Sequence, residues 1–125
     1  MKNFKFLDNL NDYHSSDAFV AHLPEVKGKD ALLKEMSLKL CFPAYFGFNW
    51  DALSECLKDF HWIKQKGIIL VHDEIPLLEE KALEIYIQIL VDALFDWKDD
   101  DKHYLEVLFP KSSETQIGHL IRKLQ

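Results

Sequence analysis

The stretch Phe42-Pro-Ala-Tyr-Phe-Gly-Phe-Asn-Trp-Asp-Ala-Leu-Ser-Glu-Cys-Leu-Lys-Asp-Phe60 runs an aromatic loop directly into a short acidic segment of helical pattern. Asn49 is a favourable N-cap, Gly47 permits a turn with positive φ, and Trp50, Leu53, Leu57 and Phe60 recur at helical spacing, so a helix is expected to begin near Trp50. At about 100° per residue, Asp51, Glu55 and Asp59 fall within an arc of roughly 80°, while Leu53, Cys56, Leu57 and Phe60 take the far side. One face is acidic and the other is core. Stacked like charges disfavour a helix by about 0.2–0.5 kcal/mol per pair, and Asp59 near the C-terminal end also opposes the helix dipole. Local stability does not explain the pattern, which reads as a docking surface; a merely solvated face is the competing explanation.

Working upstream, the apolar run Ala18 to Leu23 ends at Pro24 and reads as a strand. Asp30 is placed to cap a helix bearing Leu32, Leu33, Met36 and Leu40, which Pro43 stops. Downstream, Gly67 precedes Ile68-Ile69-Leu70-Val71, a continuous β-branched run expected of a central strand buried on both faces. Residues 79–97 carry Leu83, Ile87, Leu90, Leu94 and Trp97 at steps of four and three, predicting the longest helix, with Asp99-Asp100-Asp101 as a solvated loop beyond it. Tyr104 to Phe109 supplies a third strand ended by Pro110. Ser113 and Gln116 have capping-box spacing for a last helix within residues 111–125, bearing Ile117, Leu120, Ile121 and Leu124. Strands separated by helices imply an α/β fold with parallel pairing and right-handed crossovers. Residues 1–17 form an N-terminal arm in which Phe4 to Leu7 is either an extra edge strand or irregular. With no repeat or Gly/Ser linker, all 125 residues are read as one domain.

The central segment resembles the signature of the barstar family, small bacterial inhibitors of ribonucleases. That signature is a Tyr-aromatic-Gly loop followed by Asn-x-Asp-Ala-Leu and x-acid-Cys-Leu, matched by Tyr45-Phe46-Gly47, Asn49, Asp51-Ala52-Leu53 and Glu55-Cys56-Leu57. Weaker similarity extends over residues 18–110 through the order of elements. The resemblance implies a small parallel three-stranded sheet in the order 1-2-3 with helices packed against it. It also implies an intracellular inhibitor, of the immunity-protein or antitoxin kind, that blocks the basic active site of a ribonuclease or nuclease toxin with carboxylates in place of substrate phosphates. The partner-binding residues expected on this basis are Tyr45, Phe46, Asn49, Trp50, Asp51, Ser54, Glu55 and Asp59. Three departures bear on partner choice: Glu55 is one methylene longer than the prototype's Asp, Ser54 stands where the prototype has Trp, and Lys58 adds a cation about 20° from Asp51 on the helical wheel. A barstar-like interaction module that binds a non-nuclease partner is the alternative, because a fold does not fix a function.

A net charge of −6 argues against general nucleic-acid binding and favours a basic protein partner. Cys41 and Cys56 follow no metal spacing and no disulfide framework, as expected of reduced thiols inside a cell. The N-terminus lacks the apolar stretch of a signal peptide and no segment approaches the length of a membrane span, so a cytoplasmic location is expected. An enzymatic reading would centre on His72-Asp73-Glu74 at the carboxyl end of the second strand. Capping of the next helix competes with it, and no phosphate loop, nucleophile elbow or metal-binding helix motif accompanies it. His14, His22, His61, His103 and His119 are scattered and read as surface or core histidines. No catalysis, cofactor or metal is expected.

Overall fold

The computed structural model describes residues 2–99 and 101–124. Its elements run β1 (Phe4–Leu7), β2 (Phe19–Leu23), α1 (Lys29–Lys39), α2 (Trp50–Leu57), β3 (Gly67–His72), α3 (Glu80–Asp96), β4 (Tyr104–Pro110) and α4 (Glu114–Leu124). The strands form one parallel sheet of four, in the order β1-β4-β3-β2. The α/β class and the parallel pairing agree with the sequence expectation, but three strands in the order 1-2-3 is corrected to four. The added strand is β1, on the outer side of β4, where Phe4 lies opposite Val107 and stacks on Phe109 at 5.5 Å between ring centroids. Lys5 adds an ion pair with Glu106 at 3.1 Å.

β3 is central and buried along its whole length, as a continuous apolar run requires. Side chains alternate across a strand, so Ile68 and Leu70 enter the main core while Ile69 and Val71 enter a smaller one. The main core is filled by the helices, with Leu32, Leu33 and Met36 from α1, Leu53 and Leu57 from α2, and Leu83, Ile87 and Leu90 from α3. Leu10, Tyr13 and Ala18 contribute to the smaller core. The N-terminal arm therefore supplies both an edge strand and a lid over the second face of the sheet.

Three local expectations are corrected. α1 starts one residue before Asp30, and its N-cap is Gly28 at φ 91°, a conformation that glycine adopts without a Cβ penalty. The Ser113 hydroxyl donates to the Pro110 carbonyl at 2.7 Å and closes a 3-10 turn, so it does not form the expected capping box. α3 ends at Asp96, and Trp97 turns out of the helix to reach α2. Of the acidic run, Asp100 lies outside the described residues.

Candidate functional site

The aromatic loop between α1 and α2 is built on Phe46. Only 5% exposed, its ring packs 4.7 Å from Phe42 and 4.8 Å from Phe48. Its N–H donates to the Pro43 carbonyl at 3.0 Å, closing the turn. Burial removes Phe46 from direct reach of a partner and makes it the support under its neighbours. Those neighbours stand out of the surface: Tyr45 is 68% and Phe48 is 56% exposed.

The left-handed conformation expected at Gly47 falls instead on Phe48, at φ 51°. A non-glycine residue held there costs on the order of 1 kcal/mol or more. A Cβ at Gly47 would sit 3.2 Å from the Asn49 amide nitrogen, so close approach to that cap is what favours glycine at this position.

Asn49 caps α2 as expected, its side-chain oxygen accepting from the Ala52 N–H at 2.8 Å. Its amide nitrogen donates back to the Gly47 carbonyl at 3.3 Å, which couples the loop to the helix start. Trp50 is half-buried, 6.5 Å from the Tyr86 ring, with the Lys29 ammonium 5.2 Å from its own ring centroid. Asp51 and Glu55 are exposed, and neither has an ion-pair or hydrogen-bond partner among the described residues. Ser54 is half-buried on the same helix.

α2 stops at Leu57, with Lys58 as its C-cap, so Lys58 and Asp59 do not occupy the wheel positions that a longer helix predicts. The chain reverses through Phe60, another left-handed residue at φ 54°, whose fully buried ring stacks on Trp97 at 6.1 Å. Asp59 is fixed in this turn by His61, whose Nδ1 lies 2.8 Å from one carboxylate oxygen and whose backbone N–H donates to the other at 3.2 Å. Two tryptophans hold the helix ends that frame the site. Trp62 donates to the Leu40 carbonyl after α1 and Trp97 to the Leu57 carbonyl at the end of α2, both at 2.9 Å. Each thereby satisfies a C-terminal carbonyl that the helix itself leaves free.

Loop and helix meet in a recess of about 90 Å³ lined by Tyr45, Phe46, Ala52, Glu55, Cys56 and Asp59. Desolvation first, then the Asp59 carboxylate and Cys56, raise the Tyr45 hydroxyl above its usual pKa. Burial, aided by Asp59 and Glu55, pushes the Cys56 thiol up to about 11, so Cys56 is a packing residue and not a nucleophile. Of the sequence-predicted residues, the recess brings together Tyr45, Phe46, Glu55 and Asp59. Asp51 and Trp50 lie at the head of α2, Ser54 lies beside Glu55 in the chain, and Asn49 shapes the junction. His61, whose signal is the Asp-x-His spacing, lies outside the expected set; Phe48 lies outside it too, although its bulk in a loop already marks it, with Trp50, as a replacement contact for the aromatic absent at Ser54.

In the alternative cluster at the end of β3, Glu74 is exposed and Asp73 half-buried, 3.9 Å from His22 Nδ1, while the imidazole of His72 is out of reach. His72 is fully buried and stacked on Phe109 at 3.8 Å. Its Nδ1 donates to the Leu108 carbonyl at 3.0 Å, which leaves Nε2 to accept from the Tyr86 hydroxyl at 2.6 Å. Burial drives its pKa down to about 3, outweighing the Leu108 hydrogen bond. The same desolvation raises the Tyr86 hydroxyl far above its ordinary range. Both groups are therefore neutral and serve as a polar rivet between the sheet and α3. Among the described residues no group of three or more His, Cys, Asp or Glu is arranged to hold a metal. No helix there is long and apolar enough to cross a membrane.

The family model described as Barstar (barnase inhibitor) matches residues 16–109, most of the chain and all of the loop and α2. The chain belongs to the barstar family. Barstar members are ribonuclease inhibitors rather than catalysts, and their partners are proteins. The barstar match begins after β1 and ends before α4, so these two elements lie outside the matched region. No curated protein matches the chain.

Proposed function

We propose that this protein is an intracellular inhibitor of a basic ribonuclease or nuclease toxin, acting by covering the enzyme's active site with α2 and the aromatic loop. The observation that carries this reading is the pair Asp51 and Glu55: exposed, without a side-chain partner among the described residues, and mounted on a helix whose two ends are fixed by Asn49 and Trp97. Unpaired carboxylates on a rigid support are pre-organised to replace substrate phosphates among catalytic cations. Little ordering entropy then remains to be lost on binding. Tyr45 adds exposed aromatic area beside Glu55, the residue type that interface centres favour. In this scheme Asp51, Glu55 and Asp59 meet cations, Tyr45 and Trp50 supply contact area, Ser54 faces the partner between them, and Phe46 and Asn49 hold the geometry.

The test is inhibition of RNA cleavage. The protein is mixed at stoichiometric excess with barnase and with other basic ribonucleases, and loss of cleavage by at least one of them is expected. Full activity of every enzyme in that panel, with no complex on size-exclusion chromatography, overturns the reading. Ser54 in place of a large aromatic is the one feature that favours the alternative, a barstar-like module for a non-nuclease partner. Such a module would form a complex without changing any cleavage rate.

A further inference from the structure

The aromatic loop that lines the acidic recess through Phe46 also lines, through Phe48, a second concavity of different chemistry. A groove of about 340 Å³ is lined by Asp30, Leu33 and Lys34 of α1 and by Phe48 of the aromatic loop. Leu33 is a core residue with no exposed area of its own, so it forms the floor, and the half-exposed Phe48 ring forms a wall. Asp30 and Lys34 stand at the lip with opposite charges, which leaves no strong net field there to attract an ion. Lys29, at the start of α1, is turned toward the Trp50 ring.

The conformation of Phe48 separates this groove from incidental surface. The backbone is held in a left-handed region that favours glycine or asparagine, yet it presents a phenyl ring to solvent. The ring leans on Phe46 at 4.8 Å, the residue on which the Tyr45 side of the loop also depends, so groove and recess share one rigid support. A strained, exposed aromatic contributes little to folding that a smaller residue would not.

We infer that Phe48 and the α1 groove form an apolar docking point for the same protein partner, accepting one aliphatic or aromatic side chain next to the cations that meet the acidic recess. The inference rests on the ribonuclease-inhibitor reading and adds to it a determinant of partner choice. An acidic surface steers encounter, but stable interfaces also bury aromatic or aliphatic anchors in desolvated pockets. Ser54 offers no such anchor on α2, whereas the exposed Phe48 ring offers one on the loop. The partner selected is therefore basic at its catalytic centre and apolar at its rim.

Phe48→Gly tests this cleanly, because it deletes the ring and relieves the strained backbone together. Affinity is measured by calorimetry against the ribonuclease of the panel that the wild-type chain inhibits, alongside Glu55→Ala and a groove-filling Lys34→Trp. The expected result is a loss of roughly 10- to 100-fold for Phe48→Gly, with an unchanged or higher thermal midpoint and an unchanged salt dependence of the association rate. A similar loss is expected for Lys34→Trp. If Glu55→Ala weakens binding while Phe48→Gly and Lys34→Trp leave it within about twofold of wild type, the apolar docking point is overturned and the inhibitor reading stands. If the wild-type chain binds no ribonuclease, both fall. A wild-type dimer that Phe48→Gly dissociates would assign the groove to a second copy of this chain and equally overturn the proposal.

Discussion

His61 Nδ1 lies 2.8 Å from Asp59 Oδ2, so one carboxylate of the candidate site is already engaged by a side chain of its own turn. A cation from a partner must compete with that contact. His61→Ala removes the ring contact and leaves the backbone N–H bond to Asp59, and tighter binding is expected, by at most about fivefold, since an exposed contact of this kind is worth about 0.2–1 kcal/mol. Competition binding at fixed salt checks it. Weaker binding by the variant would show that His61 aims Asp59 at the partner and does not hold it back.

Among the described residues, Asp51 and Glu55 have no such internal partner. Glu55→Ala is expected to weaken binding by about 2–5 kcal/mol if a cation is desolvated against it, a range partly set by a barstar pair itself. Asp51→Ala loses binding too, and it also removes an acid from the first turn of α2, worth about 0.3–1 kcal/mol of stability. Affinity and urea denaturation, measured on both variants, separate the two effects. For the wild-type chain the association rate is expected to fall as salt rises, and a salt-independent rate would contradict steering by the acidic face.

Trp97 ties the end of α2 to the end of α3 through the Leu57 carbonyl. Trp97→Phe keeps an aromatic ring near Phe60 but removes the donor. A loss of about 1–2 kcal/mol in unfolding free energy, measured by urea denaturation, is expected from the carbonyl left without its partner. A variant as stable as wild type would mean that water replaces the indole at no cost.

His72 makes stability depend on pH. Its folded-state pKa, about 3, lies below the ordinary 6.5, so below that value the unfolded chain binds a proton that the folded chain does not. Its contribution is therefore complete above about pH 6.5 and falls by about 1.4 kcal/mol per pH unit as the pH drops toward 3. Urea denaturation at pH 7 and pH 5 is expected to show a smaller pH difference for His72→Gln than for wild type. Equal differences would mean that the imidazole is protonated inside the fold.

Phe48 carries strain that the sequence alone places elsewhere. Its replacement by Asn, which tolerates the left-handed region and removes the ring, is expected to raise stability by up to about 1 kcal/mol. Calorimetric unfolding checks this. Destabilisation would show that the contact with Phe46 outweighs the backbone cost.

The parts of this fold legible in the residue order are those set by near neighbours. The Asn49 cap, the start of α2, the buried run of β3 and the stripe of α3 depend on side chains within a few positions of one another. Periodicity and capping report such relations directly. The end of α2 was misplaced because Leu57 and Phe60 keep helical spacing across a chain reversal, and only the burial of Phe60 against Trp97 reveals it. Phe48 was similarly concealed, because a glycine stands beside it and local preference assigns the positive φ there.

By itself, the order of residues determined the α/β class, the parallel pairing and an acidic helix following an aromatic loop, since each follows from short-range pattern and charge. Only the tertiary structure decided that Phe4 pairs opposite Val107, that Asp59 answers to His61 outside the helix, and that His72 is sealed between Leu108 and Tyr86. The physical reason is range. Propensity and periodicity act within a turn or two of chain, whereas pairing register, burial and the desolvation that neutralises a buried imidazole are set by groups that only folding brings together.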